Sequence, residues 1–444
     1  MTSPASEPSQ TALTAEAEVV GQLQQLIRLD STNFGDGSGP GEAAVAEYVQ
    51  AQLAEVGIEA ERFFTTSGKR SGVYARIAGK NPDRPALLAH GHLDVVPAVG
   101  DWQHAPFEAE IHDDMVWGRG AVDMKDGNAI LLSTVRAWAK AGVQPDRDIV
   151  LLFLPDEEAG GKHGAHWLVD NRPDIFEGVT EAVGEVGGFS FDVSDDIRLY
   201  LIETAEKGIR WMQLTATGQA GHGSMLNNRN AVTQLAETVT RIGQHKWPVV
   251  VTKTNQALVR ELSDAFGLDI DPTDVESVIK IMGPLARMIG ASFNNTAQPT
   301  MLQAGYKHNV IPEQAHAFID GRVLPGFEKD FDEQFNALLG PGIERTDLIQ
   351  DIAIETAFDG ATIDLMCASL READPKARPV PFLMSGGTDA KAFTRLDIRC
   401  YGFIPLQLPK DLDFSALFHG VDERVPVDSL KFGARVMDRF LRQC

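Results

Sequence analysis

Residues 148–161 read DIVLLFLPDEEAGG, and this stretch decides the class of fold. The unbroken apolar run from Ile149 to Leu154 predicts a strand that is buried on both faces, as in a parallel sheet. Pro155 ends the run, and three acids follow it directly. Three carboxylates at the end of one strand repel one another unless a cation lies among them, although a solvated turn would also tolerate them. The rest of the chain has to decide between these interpretations.

The composition is that of a globular protein, because 43% of the 444 residues are hydrophobic and 23% are charged. This length suggests about two or three domains. The formal net charge of −23 argues against a nucleic-acid partner, since no basic surface is available to neutralise phosphates. No apolar run approaches the roughly 20 residues of a membrane helix, and the N-terminus has no signal-peptide pattern. Three widely spaced cysteines fit a reducing compartment, so we expect a cytoplasmic protein.

The N-terminal part of the chain alternates between helical and strand patterns, which predicts an α/β fold with a largely parallel sheet. Apolar residues have helical spacing from Thr14 onward and again in residues 128–140. Short apolar runs at residues 73–78 and 86–89 predict strands. Residues 1–12 are polar, and we expect them to form a disordered tail.

A change of pattern after Thr204 predicts a second, smaller domain. Residues 207–218, KGIRWMQLTATG, alternate as in a half-exposed antiparallel strand, and a helical pattern follows at residues 276–289. Helix–strand alternation returns after Gly321. We therefore predict an inserted α+β domain at residues 206–321, within an α/β domain formed by residues 1–205 and 322–444.

Several other apolar runs also end in side chains that can bind a metal. They lie in the motifs LLAHGHLDVVP, GRGAVDMKDG, EAVGEVGG and LFHGVDERVP, which contain His90, His92, Asp94, Asp123, Glu185 and His419. Binding crevices form at the carboxyl ends of strands in an open α/β sheet. Imidazoles combined with carboxylates are a ligand set that suits zinc. Because His92 and Asp94 point the same way in a strand, the Asp94 carboxylate could accept the spare ring N–H and orient the ligand.

Each of these residues also has an ordinary structural role open to it. His92 could be a hydrogen-bonded core histidine, and Asp123 could cap a helix. Glu185 could be a solvated acid, and His419 could be a surface histidine. For His90 we expect only a structural role. The residues taken singly leave the metal site and these alternatives open.

The order of the motifs resembles that of the co-catalytic zinc peptidases, which include aminoacylase-1, glutamate carboxypeptidase and succinyl-diaminopimelate desuccinylase. The resemblance extends from about residue 15 to the C-terminus and rests on HGHLD, GRGAVDMKDG, PDEEAGG, TGQAGHGS, GGTDA and HGVDERVP. It implies a phosphorylase/hydrolase-like zinc-peptidase catalytic domain with an inserted lid or dimerisation domain. No site position departs from the family pattern.

The resemblance implies two zinc ions per chain, with cobalt or manganese as possible substitutes. The implied ligands are His92 and Glu185 for one ion, Glu158 and His419 for the other, and Asp123 as the bridge. Asp94 would orient His92, and Glu157 would be the general base that activates a hydroxide bridging the two ions. Because neighbouring side chains diverge, Glu158 can bind a metal while Glu157 takes the proton.

The resemblance also implies further residues that would complete the site. His222 in GQAGHGS would stabilise the oxyanion from the partner subunit of a homodimer, although alone it could be a turn histidine. Arg322 would bind a free substrate carboxylate with its planar fork, although a surface ion pair is also open to it. Asn309 in HNVIP would add a polar contact, and Gly386 and Gly387 in SGGTDA would offer backbone N–H groups to the carboxylate.

These features predict a dizinc hydrolase that cleaves a peptide or N-acyl amide bond beside a free C-terminal carboxylate. A carboxypeptidase or dipeptidase is the first interpretation, and an N-acyl-amino-acid deacylase is the alternative. A cyclic-amide or carbamoyl hydrolase is a further option. A non-catalytic metal-binding protein of the same fold is the alternative from another class, and the presence of Glu157 beside a full ligand set argues against it. The expected partners are a small peptide or N-acyl amino acid and a second copy of the chain.

Overall fold

A computed structural model of the protein describes residues 8–65, 68, 70–282 and 289–444. The helices are α1 Gln10–Arg28, α2 Ala43–Glu55, α3 Lys125–Ala141, α4 Ala165–Asn171, α5 Ala231–Gln244, α6 Lys253–Phe266, α7 Val275–Met282, α8 Glu328–Leu338, α9 Ala361–Ala373, α10 Ala390–Thr394 and α11 Val427–Gln443. The first strands are β1 Glu61–Phe64, β2 Ser71–Ile77, β3 Ala86–His92, β4 Ile111–His112, β5 Met115–Trp117, β6 Ile149–Leu154, β7 Val179–Gly184, β8 Phe189–Asp192 and β9 Arg198–Glu206. The others are β10 Gly208–Thr217, β11 Gly221–His222, β12 Thr296–Ala304, β13 Val310–Ile311, β14 Gln314–Val323, β15 Ile343–Gln350, β16 Ile354–Glu355, β17 Ala377–Met384, β18 Arg399–Gly402 and β19 Arg424–Pro426.

Ten of the described strands form one large mixed sheet in the order β1-β2-β6-β3-β7-β18-β9-β16, with β8 and β17 also paired to β9. Its centre is parallel, because β6, β3, β7 and β18 run in the same direction. The edge pairs β1–β2 and β16–β9 are antiparallel. The largely parallel α/β sheet predicted from the sequence is therefore confirmed at the centre.

Helices cover both faces of this sheet, which is why its central strands are continuous apolar runs. In β6 every side chain is buried, with Leu151 in the core beneath α1, α2, α3 and α11. Leu152 points to the opposite core, where α4 and α10 contribute Leu168 and Phe393. The two-sided burial predicted for residues 149–154 is confirmed.

The N-terminal tail is shorter than its composition predicts. α1 begins at Gln10, and the Ser9 side chain caps it by accepting from the backbone N–H of Ala12. Ser9 Oγ also donates to Asp438 Oδ2 at 2.8 Å, which connects this end to the C-terminal helix. The disordered tail predicted for residues 1–12 is therefore wrong for residues 10–12, while residues 1–7 lie outside the described residues.

Four of the described strands form a smaller antiparallel sheet in the order β12-β14-β10-β15. α5 and α8 cover one face of it and bury Leu214, Ala317 and Phe331. On the other face Trp211 is 43% exposed, and Ile209 lies on the same side of β10. The half-exposed antiparallel strand predicted for residues 207–218 is confirmed.

The packing differs in two places from the predicted domain limits of 206–321. β15 lies beyond residue 321 but belongs to the small sheet, because it pairs with β10. α6 and α7 lie inside these limits but bury Leu258 and Val278 in the core of the large sheet. We therefore correct the inserted unit to two segments, 208–244 and 296–350. Of the helix predicted at residues 276–289, Val275–Met282 is observed, and residues 283–288 lie outside the described chain.

Two small sheets complete the described fold. β11 pairs with β13, and β19 pairs with β5, which in turn pairs with β4. No helix in the described residues has both the length and the apolar character that crossing a membrane requires.

Candidate metal centre

The central parallel strands bring the candidate ligands to one edge of the large sheet. β3 ends at His92, β7 is followed by Glu185, and β6 is followed by a short 3₁₀ turn that carries Glu158. Because parallel strands end on the same side of a sheet, these three side chains meet there. Asp123 enters from the loop before α3, and His419 enters from the loop before β19.

Asp123 lies between two groups of side chains, and each of its carboxylate oxygens faces one group. Oδ1 lies 3.0 Å from His92 Nε2, which lies 3.5 Å from Glu185 Oε2. Oδ2 lies 3.1 Å from His419 Nε2, which lies 3.2 Å from Glu158 Oε2. Within each group the ligand atoms lie within 4.8 Å of one another. The structure thus brings together all five side chains that the sequence suggested as ligands.

The cluster attracts positive charge. Burial and the charge of Asp123 together raise the pKa of Glu158 to about 7. Loss of solvent and the charge of Glu185 raise the pKa of Glu157 well above its usual value. Hydrogen bonds to Asp123 and Glu158 raise the pKa of His419 to about 10. Protons or divalent cations can supply the charge that these acids require.

The donor set fits two metal ions. Glu158 Oε1 is buried, and no described residue forms a hydrogen bond with it, so this oxygen is free to coordinate. Each group combines one imidazole nitrogen with carboxylate oxygens from two residues, a combination that suits Zn²⁺ and also Co²⁺ or Mn²⁺. The three carboxylates of the two groups would nearly neutralise two divalent ions.

The Asp94 side chain contacts different partners from those predicted. His92 Nδ1 lies 2.8 Å from the backbone carbonyl of Asp94 but 3.7 Å from its carboxylate. The carboxylate instead accepts from the backbone N–H groups of Glu157 and Glu158, each at 3.1 Å, and from Asn33 Nδ2 at 2.8 Å. The prediction for the carboxylate is wrong because β3 ends at His92, where strand alternation stops. Asp94 therefore contacts His92 through its carbonyl and holds the Glu157–Glu158 turn through its carboxylate.

Glu423 shapes the loop that carries Asp123, and the sequence did not reveal this role. Its buried carboxylate accepts from Arg119 Nη1 at 2.7 Å and from three backbone N–H groups, including that of Asp123. Glu423 lies four residues after His419 in HGVDERVP, which is the only local signal for it. The backbone partners of a buried acid are a tertiary feature that local sequence does not encode.

His90 has the surroundings of a structural residue. It is buried with its ring edge-on to Phe393, at 4.9 Å between ring centres. Burial and the charge of His92 lower the pKa of His90 to about 3, so its ring is neutral near pH 7. A Cβ atom on Gly184 would lie 2.2 Å from the His90 ring, so glycine is required there for close packing.

His222 and Asn309 form a pair that makes no hydrogen bond with the candidate ligands among the described residues. Both side chains are exposed: His222 lies in β11, and Asn309 directly precedes β13, the strand that pairs with β11. Asn309 Nδ2 lies 3.4 Å from His222 Nε2. His222 Nδ1 also lies 2.8 Å from Ser224 Oγ. Among the residues that the structure describes, no hydrogen bond or ion pair joins His222 or Asn309 to the five candidate ligands.

Arg322 lies beside the loop that contains Gly386 and Gly387. Its Nη1 donates to the Ser385 carbonyl at 3.4 Å. Its Nε pairs with Asp320 Oδ1 at 2.8 Å, so the ion pair that the sequence left open is present. Asp320 therefore contacts two of the three guanidinium nitrogens of Arg322.

A third group of potential ligands, His104, Glu110 and His112, lies at the surface. The two imidazole rings stack at 3.7 Å with 14° between their planes. Their in-plane lone pairs therefore run side by side and do not converge on one point. His112 Nε2 lies 2.9 Å from Glu110 Oε2. We therefore interpret His112 and Glu110 as an ordinary surface ion pair, with the His104 ring stacked on His112.

An α/β sheet with imidazole and carboxylate ligands at its carboxyl edge, together with an inserted α+β unit, defines a class of metal-dependent hydrolases. The chain belongs to peptidase family M20/M25/M40, whose family model matches residues 88–443. It is thus an enzyme of the metallopeptidase and amidohydrolase type, as the resemblance of its motifs implied.

Curated relatives and solved structures agree with this membership. The chain is 28% identical over 371 residues to "Probable carboxypeptidase S-like 2" of Dictyostelium discoideum, covering 78% of this chain and 69% of that protein. It is 26% identical over 377 residues to "Aminoacylase-1" of Sus scrofa, covering 81% and 83%. The structure of an M20 family metallo-carboxypeptidase, Sso-CP2 from Sulfolobus solfataricus, aligns with a TM-score of 0.71 at 19% identity, covering 96% and 98%. This last likeness shows the fold.

Proposed function

We propose that the protein cleaves a peptide or N-acyl amide bond beside a free C-terminal carboxylate, and that it uses two zinc ions. The observation that carries this proposal is Asp123, whose two oxygens face two separate imidazole–carboxylate groups. We favour a carboxypeptidase or dipeptidase because carboxypeptidases are named among the relatives and solved structures. An N-acyl-amino-acid deacylase is the second candidate, which the similarity to aminoacylase-1 supports. The cytoplasmic location stays a prediction.

Glu157 is the proposed general base. When bound, the two ions would lower the pKa of a water molecule and polarise the substrate carbonyl. Glu157 would accept the proton of the attacking water and pass it to the leaving nitrogen. Two observations support this role: the Asp94 carboxylate fixes the backbone N–H of Glu157, and the Glu157 side chain belongs to neither ligand group.

We place the substrate carboxylate between Arg322 and the backbone N–H groups of Gly386 and Gly387. Arg322 contacts Ser385 at the start of this loop. At the other end of the loop, burial raises the pKa of Asp389, and the charges of metal ligands also act on it. The loop therefore contacts Arg322 at one end, and at its other end the charges of the candidate ligands act on it.

Converting the substrate's C-terminal carboxylate to an amide should raise KM or lower kcat strongly in the parent enzyme. Arg322→Ala should remove much of this discrimination, because the guanidinium has no comparable partner in a neutral amide. Hydrolysis of matched dipeptides, N-acyl amino acids and their amides by the zinc-loaded enzyme measures both effects. Asp320→Asn is the matched control, since it frees the guanidinium and should preserve the preference. Equal cleavage of acid and amide by the parent would contradict the carboxylate site.

We also propose that the enzyme is a homodimer in which His222 stabilises the oxyanion in the neighbour's site. Its exposure and its lack of contact with the ligands of its own chain support this arrangement. Removing one oxyanion donor typically costs about 10²–10³ in turnover, so His222→Ala alone should be nearly inactive.

Refolding a mixture of Glu157→Ala and His222→Ala chains should restore activity. In a mixed dimer, one site carries both substitutions and the other combines an intact Glu157 with the partner's intact His222. At a fixed total amount of protein, activity should rise on mixing and be greatest when the two chains are present in equal amounts. If His222 acts within its own chain, every site stays damaged and mixing restores nothing.

A further inference from the structure

A buried carboxylate holds the loop between β17 and α10, which contains residues 385–389. Glu206, at the end of β9, is fully buried. Its Oε2 accepts from the Thr388 backbone N–H at 2.9 Å, and its Oε1 accepts from Thr388 Oγ1 at 2.6 Å. Because the two oxygens of Glu206 accept from two different groups of Thr388, they fix both its position and its orientation.

A buried cation accompanies this carboxylate. Lys391 is 1% exposed, and its Nζ donates to the Lys207 carbonyl at 2.8 Å and pairs with Asp351 Oδ2 at 3.1 Å. A buried charge is costly unless it is paired and hydrogen-bonded. Glu206 has the two hydrogen bonds from Thr388, and the charge of Lys391 opposes the rise that burial causes in the pKa of Glu206. A Cβ atom on Gly387 would lie 2.6 Å from Lys391 Nζ, so the loop backbone packs directly on this group.

Glu206 lies where the chain leaves the large sheet for the small one. β10 begins at Gly208, and Asp351 follows β15, where the chain returns. The Asp351 backbone N–H donates to the Ile209 carbonyl at 2.9 Å, so the outgoing and returning segments lie side by side. Glu206 and Lys391 therefore connect the 385–389 loop to the junction of the two sheets.

We propose that Glu206 is a positioning residue for substrate recognition, acting through Thr388. It holds the 385–389 loop in the conformation in which the N–H groups of Gly386 and Gly387 face one substrate carboxylate. This inference rests on the proposed function of that loop. A contact that binds substrate and transition state equally contributes to KM and leaves kcat unchanged. Loss of Glu206 should therefore weaken the binding of free-carboxylate substrates selectively.

The test uses zinc-loaded Glu206→Gln and Thr388→Val enzymes with the best free-carboxylate substrate of the parent and its C-terminal amide. Each variant should raise KM for the acid roughly tenfold, the size expected for a lost hydrogen bond to a charged group. The expected kcat, KM for the amide and zinc content are parental. Thr388→Ser keeps the hydroxyl and should restore the parental KM. Thr394→Val makes the same change on α10 away from Glu206 and should have no effect.

The outcomes separate this inference from the proposed function. Acid and amide cleaved equally by the parent would contradict the carboxylate site and the inference with it. A parent that discriminates, with variants that discriminate equally well, would overturn the role of Glu206 alone. Equal losses for acid and amide with a fall in kcat or zinc content would show a merely structural role. If Glu206→Gln does not fold, the milder Thr388→Val variant tests the same interaction by itself.

Discussion

Glu157→Gln and Glu157→Ala should each lower turnover by roughly 10²–10⁴-fold, the usual contribution of a positioned acid–base group, while both metal ions stay bound. The physical reason is that Glu157 lies in neither ligand group, so its loss removes a proton acceptor and no metal donor. Its backbone contact with Asp94 does not depend on the side chain, so the turn should keep its shape. Measurements of kcat and of metal ions per chain on the same preparation give both quantities.

The adjacent residue provides a matched control. Glu158→Gln makes the same chemical change one residue further along, but Glu158 belongs to the group with His419. We expect this variant to lose metal from that group as well as activity. A Glu157→Gln enzyme with the parental rate would show that the base lies elsewhere. The same metal loss in both variants would contradict the division of roles between the two residues.

Asp123→Ala should lose metal from both groups and reduce activity to background. Each Asp123 oxygen faces a different imidazole, so one substitution removes a ligand from both proposed sites. Asp126→Asn is a matched control on the first turn of α3, since Asp126 is buried but belongs to neither group. Elemental analysis after dialysis should give a metal content near that of the parent for Asp126→Asn and near zero for Asp123→Ala.

Removing the metal from the parent enzyme should have the same effect on activity. Chelation should abolish hydrolysis, and added zinc should restore it as about two ions bind each chain. Cobalt or manganese should also restore part of the activity, because the donor set suits them. Full activity in rigorously metal-free protein would contradict the proposed function.

The sequence predicted the features that depend on burial and on local order. The apolar run of β6 predicted a strand covered on both faces, while the run of acids after it left a cation site and a solvated turn both open. The order of the motifs then identified side chains that the parallel strands bring to one edge of the sheet. These features are encoded locally. The hydrophobic pattern indicates which faces of a strand are buried, and the residues that follow parallel strands lie at the carboxyl edge of the sheet.

The features that the sequence did not reveal depend on contacts between segments that are distant in the sequence. An amphipathic pattern shows that α6 has an apolar face but does not show which of two cores receives it. Alternation shows that β15 is a strand but not which sheet it joins. The partners of Asp94, Glu423 and Glu206 are backbone N–H groups, which every non-proline residue offers equally. Only the folded chain selects among them.

The return of α6 and α7 to the large core has a consequence for how this architecture can change. Two separate segments, 208–244 and 296–350, form the unit built on the small sheet. The chain between them contributes Leu258 and Phe293 to the core of the large sheet. Deleting residues 208–350 as one piece would therefore also remove side chains from the core of the large sheet, each of which contributes about 1.5–3 kcal/mol to stability. Evolution or engineering can therefore change the small sheet only by exchanging two separate segments, because removing the sheet as one continuous stretch would also remove part of the main core.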